Sequence, residues 1–477
     1  MLILDADRLR FRPHEGLIPF FFNHFENLHH APALPLRLAA TCLLNVTALA
    51  QSTDAAAPDA LQQRGLSLAD ATEAQVIAWR RHIHQNPELS FQEVRTAAYV
   101  AEALRKMPGI QVQTGIAKTG IKAVLRGGRP GPVVALRDDM DALPVEERND
   151  LPFKSTAKAD WLGKEVPVSH ACGHDTHVAM LLGAAQALSD MRSELPGAVV
   201  FLFQPAEEQG PGPVPSGAPA MVQAGVLDNP KVDVVMGQHI NASGPLGIGY
   251  RRGSLMASGD VFKISLKGQG GHGSSPWTAK DPTVAAAEIV LALQNIVSHR
   301  IDPLDGPTVV TVGVLQSGNR VNILPETAEI AGTVRSLSAR NQKVAHENIR
   351  LKAQKIAEQY GLTAKVDIET GYEVLVSDPG ATQVVVKGLE AAAAPAVQAR
   401  EIGPRMASED FGSFGKNRPV VFWNLNASPF GDKPGAPNHS PEFVIDEKAL
   451  RVGVRALVGS TLAYMTARPN GEVTASH

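Results

Sequence analysis

A set of short apolar segments separated by helical patterns constrains the fold of this chain most strongly. Segments 132–141, 197–208, 232–240 and 418–428 begin or continue as runs of valine, leucine and phenylalanine that do not alternate with polar residues. Residues 174–191 have the apolar spacing of a helix. Continuous apolar strands that alternate with helices are typical of a mostly parallel sheet covered on both faces by helices. We therefore predict an α/β domain built on such a sheet.

A helical pattern precedes these strands, over residues 71–106, and is interrupted by Asn86-Pro87. The residue before a proline disfavours the helical conformation. We therefore expect one helix to end at this point.

A different order of elements separates the third apolar segment from the fourth. Alternating strands are predicted at 259–269, 308–318, 326–337 and 363–372, and helices at 281–300 and 339–360. The order β-α-β-β-α-β is that of a ferredoxin-like fold. Its length of about 110 residues suits a small domain. The sequence therefore predicts a ferredoxin-like domain inserted into the α/β domain.

The N-terminal segment has the layout of a secretory signal. Residues 34–51 contain one arginine, an apolar core and Ala48-Leu49-Ala50 before Gln51. A charged start, an apolar core and an Ala-x-Ala site are the parts of a cleavable signal peptide. We therefore expect a periplasmic or secreted protein, with cleavage near Ala50. The alternative is a short hydrophobic helix in a longer leader of a cytoplasmic protein.

Charge and hydropathy exclude two classes of partner. The chain of 477 residues has 45 basic and 48 acidic residues, a formal net charge of −3, and no basic stripe. This balance offers no field that would attract nucleic acid or an anionic membrane. No apolar run reaches the ~20 residues that span a bilayer.

Residues able to bind metal gather where the predicted strands end. In open α/β sheets, ligands bind beyond the carboxyl ends of the strands. The residues near these ends are Asp138, Asp139, Asp141, His170, Cys172, His174, Asp175, His177, Glu207, Glu208, His239, Asn438 and His439. Thiol, imidazole and carboxylate groups together are ligands of borderline cations such as zinc. We therefore predict a metal site, with room for a pair of cations sharing a water.

The neighbouring Glu207 and Glu208 suggest a division of roles. Two adjacent carboxylates repel, and an apolar setting would force one of them to hold a proton. Cations remove this repulsion if one glutamate binds metal while its neighbour stays free as a general base. The alternative for the pair is a solvated loop. Likewise, Asp175 could cap a helix and Cys172 could be a small buried hydrophobe.

Other chemistries leave more of the sequence unexplained. The chain has no G-x-S-x-G motif. The segment 115–120 imitates a phosphate-binding loop, but Ile121 stands where lysine is required. A Cys172 nucleophile activated by His174 would leave the two glutamates and His439 without a role.

Nine segments taken together resemble the aminoacylase family of di-metal peptidases, and more narrowly its hippurate hydrolase and indoleacetyl-amino-acid hydrolase branch. They are RRHIHQNPELSFQE (80–93), ALRDDMDALPVEE (135–147), SHACGHDTHVAMLLGAA (169–185), FQPAEEQGPG (203–212), GQHI (237–240), GQGGHGSSPW (268–277), VNILPETAEIAGTVR (321–335), MASEDF (406–411) and NHSPEF (438–443). Two departures are Asp138, where a small residue is expected, and a long loop at 210–225.

The resemblance implies a catalytic domain interrupted by a lid domain that dimerises. The expected parts are a leader at 1–50, a catalytic domain at 72–252 and 370–468, and a lid at 253–369. The implied reaction is hydrolysis of the amide between an acyl group and an amino acid with a free carboxylate. The alternatives are a dipeptidase or carboxypeptidase on the same site, and a metal-bearing binding protein without catalysis.

The resemblance also implies a role for individual residues. Two divalent ions (zinc, manganese or cobalt) would be bound by Cys172, His174, Glu208, His239 and His439. Glu207 would be the base and later the proton donor, with Asp141 as an orienting acid beside it.

The lid is expected to supply a second group of residues. His272 would donate to the amide oxygen as it becomes an oxyanion, often from the partner subunit of a homodimer. Asn322 and Arg335 would bind the substrate carboxylate, although Arg335 could instead be a surface charge.

Overall fold

The structure is a computed structural model that describes residues 60–211, 214–395 and 397–468. Its helices are α1 (Ala60–Ala71), α2 (Glu73–Gln85), α3 (Val94–Arg105), α4 (His174–Asp190), α5 (Gly217–Gln223), α6 (Pro282–His299), α7 (Ala339–Gln359), α8 (Pro379–Ala393) and α9 (Lys448–Ala467). Its strands are β1 (Ile110–Ile116), β2 (Gly120–Arg126), β3 (Arg129–Asp139), β4 (Lys158–Trp161), β5 (Lys164–Pro167), β6 (Pro196–Gln204), β7 (Val234–Asn241), β8 (Gly247–Tyr250), β9 (Gly253–Met256), β10 (Gly259–Lys267), β11 (Gly271–His272), β12 (Thr308–Ser317), β13 (Ile323–Leu324), β14 (Thr327–Ser336), β15 (Thr363–Tyr372), β16 (Leu375–Ser377), β17 (Ala399–Glu401) and β18 (Val420–Asn426).

The central sheet has the strand order β1-β2-β6-β3-β7-β18-β8-β17. Strands β6, β3, β7 and β18 pair in parallel and correspond to the predicted apolar segments. Antiparallel pairs at the two ends, β1–β2–β6 and β18–β8, were not predicted. The parallel centre brings four carboxyl ends to one edge of the sheet.

Helices cover the two faces of this sheet unequally. One face packs against α1 to α4, α8 and α9, through side chains such as Phe201 and Trp423. The other face is covered by the short helix α5 and the 3-10 segment Asp410–Lys416, with Phe411 and Phe414 in contact with the sheet. Because the parallel strands are buried on both sides, their apolar runs do not alternate. The predicted interruption at Asn86-Pro87 is also present, since α2 ends at Gln85 and α3 starts at Val94.

The inserted part has the predicted order β-α-β-β-α-β. Its strands form an antiparallel sheet in the order β12-β14-β10-β15. Helices α6 and α7 pack on the face that carries the buried alternate residues of β10 and β14. We call this part the lid. The residue boundaries predicted for the lid and the catalytic domain remain predictions.

None of the described helices is long and apolar enough to cross a membrane. The predicted signal peptide lies outside the described residues, and export therefore stays a prediction.

Helices α8 and α9 cross closely at two glycines, which generates a stability prediction. A Cβ atom at Gly388 would lie 2.4 Å from the backbone oxygen of Gly459. We expect Gly388→Ala to lower the free energy of unfolding by about 1–3 kcal/mol, because backbone on the facing helix has to move. Urea unfolding measures the change.

The matched control is Gly380→Ala in the same helix. Its Cβ atom would meet only Asp378 Oδ1, at 3.4 Å. Alanine is the better helix former, so no loss is expected, or a gain of up to about 1 kcal/mol. Equal effects of the two substitutions would contradict the steric explanation.

Candidate metal centre

A cleft of about 340 Å³ opens at the carboxyl ends of the parallel strands. Strands β6, β7 and β18 run towards it and end at Gln204, Asn241 and Asn426. The residues that line the cleft are Cys172, Glu207, Glu208, His239, Asn241, Met256, Arg335, Tyr372, Arg405, Ala407, Ser408, Glu409, Asn424, Asn438 and His439. Four of the five predicted metal ligands therefore line one cavity, and the fifth, His174, is buried beside it.

One group of donor atoms consists of the side chains of Cys172, His174 and His239, which lie within 4.8 Å of one another. His239 Nε2 is 3.4 Å from Cys172 Sγ. His239 Nδ1 lies 2.7 Å from the Ile240 carbonyl oxygen, and His174 Nδ1 lies 2.8 Å from that of Asp141. A carbonyl can only accept, so Nδ1 carries a proton in both rings, and in the neutral form of each ring the lone pair is on Nε2. His174 Nε2 is buried and has no hydrogen bond with any described residue, as expected of a nitrogen placed to bind metal.

A second group of donor atoms consists of Cys172, Glu208 and His439, also within 4.8 Å of one another. His439 Nε2 lies 2.9 Å from Glu208 Oε1. Contacts with Cys172 and Glu208 raise the pKa of His439 to about 10. Because Cys172 belongs to both groups, the thiol lies where two cations could share it. The donor set of sulfur, imidazole and carboxylate therefore fits a pair of borderline divalent cations.

A glycine between two of these donors allows the turn that brings them together. Gly173 has a φ of 87° and precedes α4 directly. A Cβ atom there would also lie 2.5 Å from Ile240 Cγ2. Only glycine satisfies both restrictions without strain. The first residue of α4, His174, is thereby held next to Cys172.

Asp141 holds the loop that carries the two glutamates. Its carboxylate accepts hydrogen bonds from the backbone N–H groups of Glu207 (3.0 Å) and Glu208 (3.1 Å). Ser90 Oγ donates to the same carboxylate at 2.6 Å. Burial opposes ionisation, but the contacts with His174 and Ser90 lower the pKa of Asp141. The predicted orienting acid thus lies behind the two glutamates and fixes their backbone.

Glu93 supports the same loop from the other side. Its carboxylate accepts hydrogen bonds from Ala206 N (2.8 Å), Phe91 N (2.9 Å) and Thr119 Oγ1 (2.6 Å). Burial and the nearby Asp141 raise the pKa of Glu93 to about 7. No role was predicted for Glu93, although it lies in one of the segments that carry the resemblance.

The Glu207 side chain lines the cleft and is 6% exposed. Burial, followed by the charges of Glu409 and Glu208, raises the pKa of Glu207 well above its usual value. Its backbone carbonyl accepts a hydrogen bond from Tyr372 Oη at 2.6 Å. The sequence predicted that one of two adjacent carboxylates in a buried setting would tend to hold a proton, and the raised pKa of Glu207 agrees with this.

A buried ionic network below the cleft was not predicted from the sequence. Arg137 Nη1 lies 2.8 Å from Asp139, and Arg137 Nη2 lies 3.1 Å from Glu409 and 2.9 Å from Asp410. Burial raises the pKa of Glu409 to about 8 despite Arg137. Asp139 also accepts from His177 Nδ1 at 2.6 Å. The sequence indicated only that Arg137 and Asp139 occur in an apolar strand. This pattern does not indicate which distant residues they pair with.

The remaining candidates from the strand ends lie outside the cleft. Asp175 pairs with Arg80 at 2.7 Å and with His84 at 2.9 Å. His170 is buried, neither ring nitrogen has a hydrogen bond within the described part of the chain, and burial lowers its pKa to about 4. The contacts of Asp175 connect α4 to α2.

The lid residues divide into two sets. Arg335 lines the cleft, and its Nη1 donates to the carbonyl oxygen of Val334 at 3.1 Å. His272 and Asn322 are exposed and do not line the cleft. They lie together where β11 pairs with β13, with Gly273 N donating to Asn322 O at 3.0 Å.

The ring of His272 has a defined tautomer. Its Nδ1 accepts from the backbone N–H of Ser274 at 3.1 Å. A neutral imidazole that accepts at Nδ1 carries its proton on Nε2. The exposed His272 is therefore a hydrogen-bond donor at Nε2.

Comparison with known proteins agrees with this geometry. Residues 135–462 match the model of peptidase family M20/M25/M40. The chain is 41% identical over 386 residues to thermostable carboxypeptidase 2 of Saccharolobus solfataricus, covering 80% of this chain and 93% of that protein. It is 42% identical over 313 residues to the N-acyl-L-amino acid amidohydrolase of Geobacillus stearothermophilus, covering 65% of this chain and 80% of that protein. The crystal structure of the YXEP protein of Bacillus subtilis, a dinuclear metal-binding peptidase of family M20, matches with a TM-score of 0.70 and 32% identity, over 83% of this chain and 99% of that one.

The fold and the cluster of donor atoms define a metal-dependent hydrolase of amide bonds. The chain belongs to peptidase family M20/M25/M40. The family named from the sequence motifs is confirmed, as is the reading of the chain as a metallo-amidohydrolase or metallopeptidase.

Asp138, the departure noted in the sequence, generates a prediction about stability and pH. It is 2% exposed, and neither carboxylate oxygen has a hydrogen-bond partner among residues 60–211, 214–395 and 397–468. Burial and the charge of Asp139 raise its pKa well above the usual value. An acid whose pKa is raised by folding destabilises the protein as pH rises above the unfolded pKa of about 4. We therefore expect Asp138→Ala to raise the free energy of unfolding by about 1–3 kcal/mol, and by more at about pH 8 than at about pH 5.

Urea unfolding at the two pH values measures this effect. Asp138→Asn is the matched control, because it removes the titration but keeps a buried polar group without a partner. It should flatten the pH dependence with a smaller gain in stability. A loss of stability in Asp138→Ala at both pH values would contradict the prediction.

Proposed function

We propose that this enzyme uses two divalent cations to hydrolyse the amide bond of N-acyl amino acids, releasing a carboxylic acid and a free amino acid. The observation that carries the proposal is the position of the Glu207 carboxylate, which lines the cleft and lies within 4.8 Å of the donor atoms of His174 and Glu208. The likeness to an N-acyl-L-amino acid amidohydrolase supports the choice of substrate.

In this proposal the cations are held by Cys172, His174, Glu208, His239 and His439. Thiolate and imidazole ligands favour zinc, while the carboxylate also accommodates manganese or cobalt. When bound, the cations supply Lewis-acid chemistry, lowering the pKa of a water molecule and polarising the amide carbonyl.

The protein itself moves the protons. Glu207 takes a proton from the attacking water and then gives it to the amine that leaves. Asp141 keeps Glu207 and Glu208 in position through their backbone N–H groups. Arg335 lines the cleft, and its Nε and Nη2 atoms make no hydrogen bond with a described residue, which leaves two donors for the planar carboxylate of the substrate.

We further propose that the enzyme is a homodimer in which His272 reaches the cleft of the partner subunit. Its support is the exposed position of His272 and Asn322, away from their own cleft. Large apolar side chains are exposed around them, with Trp277 at 80% and Ile323 at 51%. Strand β12 is an edge of the lid sheet and exposes Leu315. An open strand edge with exposed apolar residues is a surface suited to a second copy.

Glu207→Gln tests the general base. We expect kcat to fall by about 10²–10⁴-fold, because the amide cannot accept the proton. Metal content should be unchanged, since Glu207 is not a ligand in the proposal. Hydrolysis assays and elemental analysis measure both, with the exposed Glu102→Gln as the control. Full activity in Glu207→Gln would refute the role.

Cys172→Ala tests the ligand shared by the two donor groups. We expect metal content to fall after dialysis, because the thiol is the one donor common to both groups. Elemental analysis and the unfolding midpoint with and without added zinc provide the measurement. An unchanged metal content would show that the thiol is not a ligand.

Mixing two inactive variants tests the contribution of the partner subunit. In a heterodimer of Glu207→Gln and His272→Ala, one cleft has an intact Glu207 and receives an intact His272. Random exchange makes half of the dimers mixed, each with one working site, so about a quarter of wild-type activity should return. If subunit exchange is verified by mass and no activity returns, His272 does not act across the interface.

A carboxypeptidase or dipeptidase is the second candidate, because the carboxypeptidase of S. solfataricus is as similar as the amidohydrolase. A panel of N-acyl amino acids and dipeptides, with zinc, manganese or cobalt, distinguishes the two. Higher kcat/KM on dipeptides would favour the second candidate. A metal-binding protein without catalysis would hydrolyse neither set.

A further inference from the structure

The cleft contains two arginines, and the proposed reaction gives a role to only one of them. Arg405 lies between β17 and the 3-10 segment Asp410–Lys416, and it lines the cleft together with Arg335, Glu207 and His439. It is neither a predicted site residue nor one of the proposed metal ligands.

The Arg405 guanidinium has no partner in the part of the chain that the structure describes. It is half-buried, yet it makes neither an ion pair nor a side-chain hydrogen bond with a described residue. Burial alone shifts its pKa, in the downward direction, as expected for a cation without an acid nearby. A partly desolvated charge without a partner is unfavourable. Such a group is therefore expected to meet an anion when the cleft is filled.

Three other shielded arginines in the described part of the chain have hydrogen-bond partners. Arg137 contacts three acids, and Arg80 contacts Asp175 at 2.7 Å. The half-buried Arg251 donates to the carbonyl oxygens of Ser254 (2.8 Å) and Ile402 (3.0 Å). The open donors of Arg405 therefore distinguish it from arginines that stabilise the fold.

The backbone fixes Arg405 close to the base of the lid. Arg405 N donates to Leu255 O at 2.8 Å, and Ala257 N donates to Arg405 O at 3.1 Å. Ser258, which follows Ala257, donates from its N–H to the carbonyl oxygen of Ser336 at 2.8 Å. Ser336 follows Arg335 directly in the sequence. Arg405 and Arg335 thus flank the same short segment of chain and reach the same cleft.

We propose that Arg405 is a specificity-determining residue that binds a carboxylate of the substrate alongside Arg335. The inference rests on the proposed function, because it is the amino-acid half of the substrate that carries carboxylates. A guanidinium fork recognises the planar carboxylate through two parallel hydrogen bonds, which the unused donors of Arg405 permit. The carboxylate has two sources, the α-carboxylate of any amino acid or a second carboxylate on an acidic side chain.

Arg405→Met tests the inference through inhibition by reaction products and their analogues. Wild type and variant are assayed with glutamate, glutamine and 4-aminobutanamide, which is glutamine without its α-carboxylate, as competitive inhibitors. Loss of one charged hydrogen-bonded contact should raise the inhibition constant by about 10- to 100-fold. If Arg405 binds the α-carboxylate, glutamate and glutamine weaken equally and 4-aminobutanamide does not change. If it binds a second carboxylate, only glutamate weakens.

The matched control is Arg400→Met, which removes the same charge from an exposed position on β17 and should change none of the three constants. Equal changes for all three inhibitors in Arg405→Met, or no change for any, would overturn the proposal. Metal content and the unfolding midpoint should stay at their wild-type values. Failure of the proposed function is separate, since wild-type enzyme would then hydrolyse neither N-acylglutamate nor N-acylglutamine in the presence of metal.

Discussion

Buried negative charge at one edge of the central sheet has to be balanced, and much of the structure around the cleft serves that balance. Asp139, Glu409 and Asp410 surround the single guanidinium of Arg137. Burial, with the charges of Asp139 and Asp410, raises the pKa of Glu409 even so. A pair of divalent cations beside Glu208 would supply the missing charge. The cleft is therefore suited to binding cations.

Fixed neighbours orient the donor atoms before any cation arrives. Backbone carbonyls hold His174 and His239 through Nδ1, which leaves the two Nε2 atoms as the possible metal donors. Asp141 binds the backbone of the loop that carries Glu207. Such outer contacts set both the tautomer and the direction of a ligand. The arrangement of donor atoms is therefore largely preformed, whereas His272 lies exposed on the lid and does not line the cleft.

Local patterns were sufficient to predict the elements that matter most. The parallel strands are apolar on both faces, whereas the lid strands alternate between apolar and polar residues. Each pattern therefore predicted whether a strand is buried on both faces or on one. The positions of the strand ends indicated where polar candidate residues gather, and the family resemblance then singled out the five predicted metal ligands. The antiparallel strands β1 and β8 and the partners of Arg137 did not follow, because pairing and ion contacts join residues far apart in sequence. The sequence around Arg405 did not indicate that this residue lines the cleft.

The sequence by itself determined the α/β class, the inserted lid, the family and the types of metal-binding side chain, since these depend on periodicity, spacing and side-chain chemistry. Tertiary structure decided which of the polar residues share a cavity. His170 and Asp175 lie two residues or fewer from Cys172 and His174, yet they face away from the cleft towards α2. Sequence spacing sets which residues are close along the chain, but packing against a distant element decides which side each side chain faces.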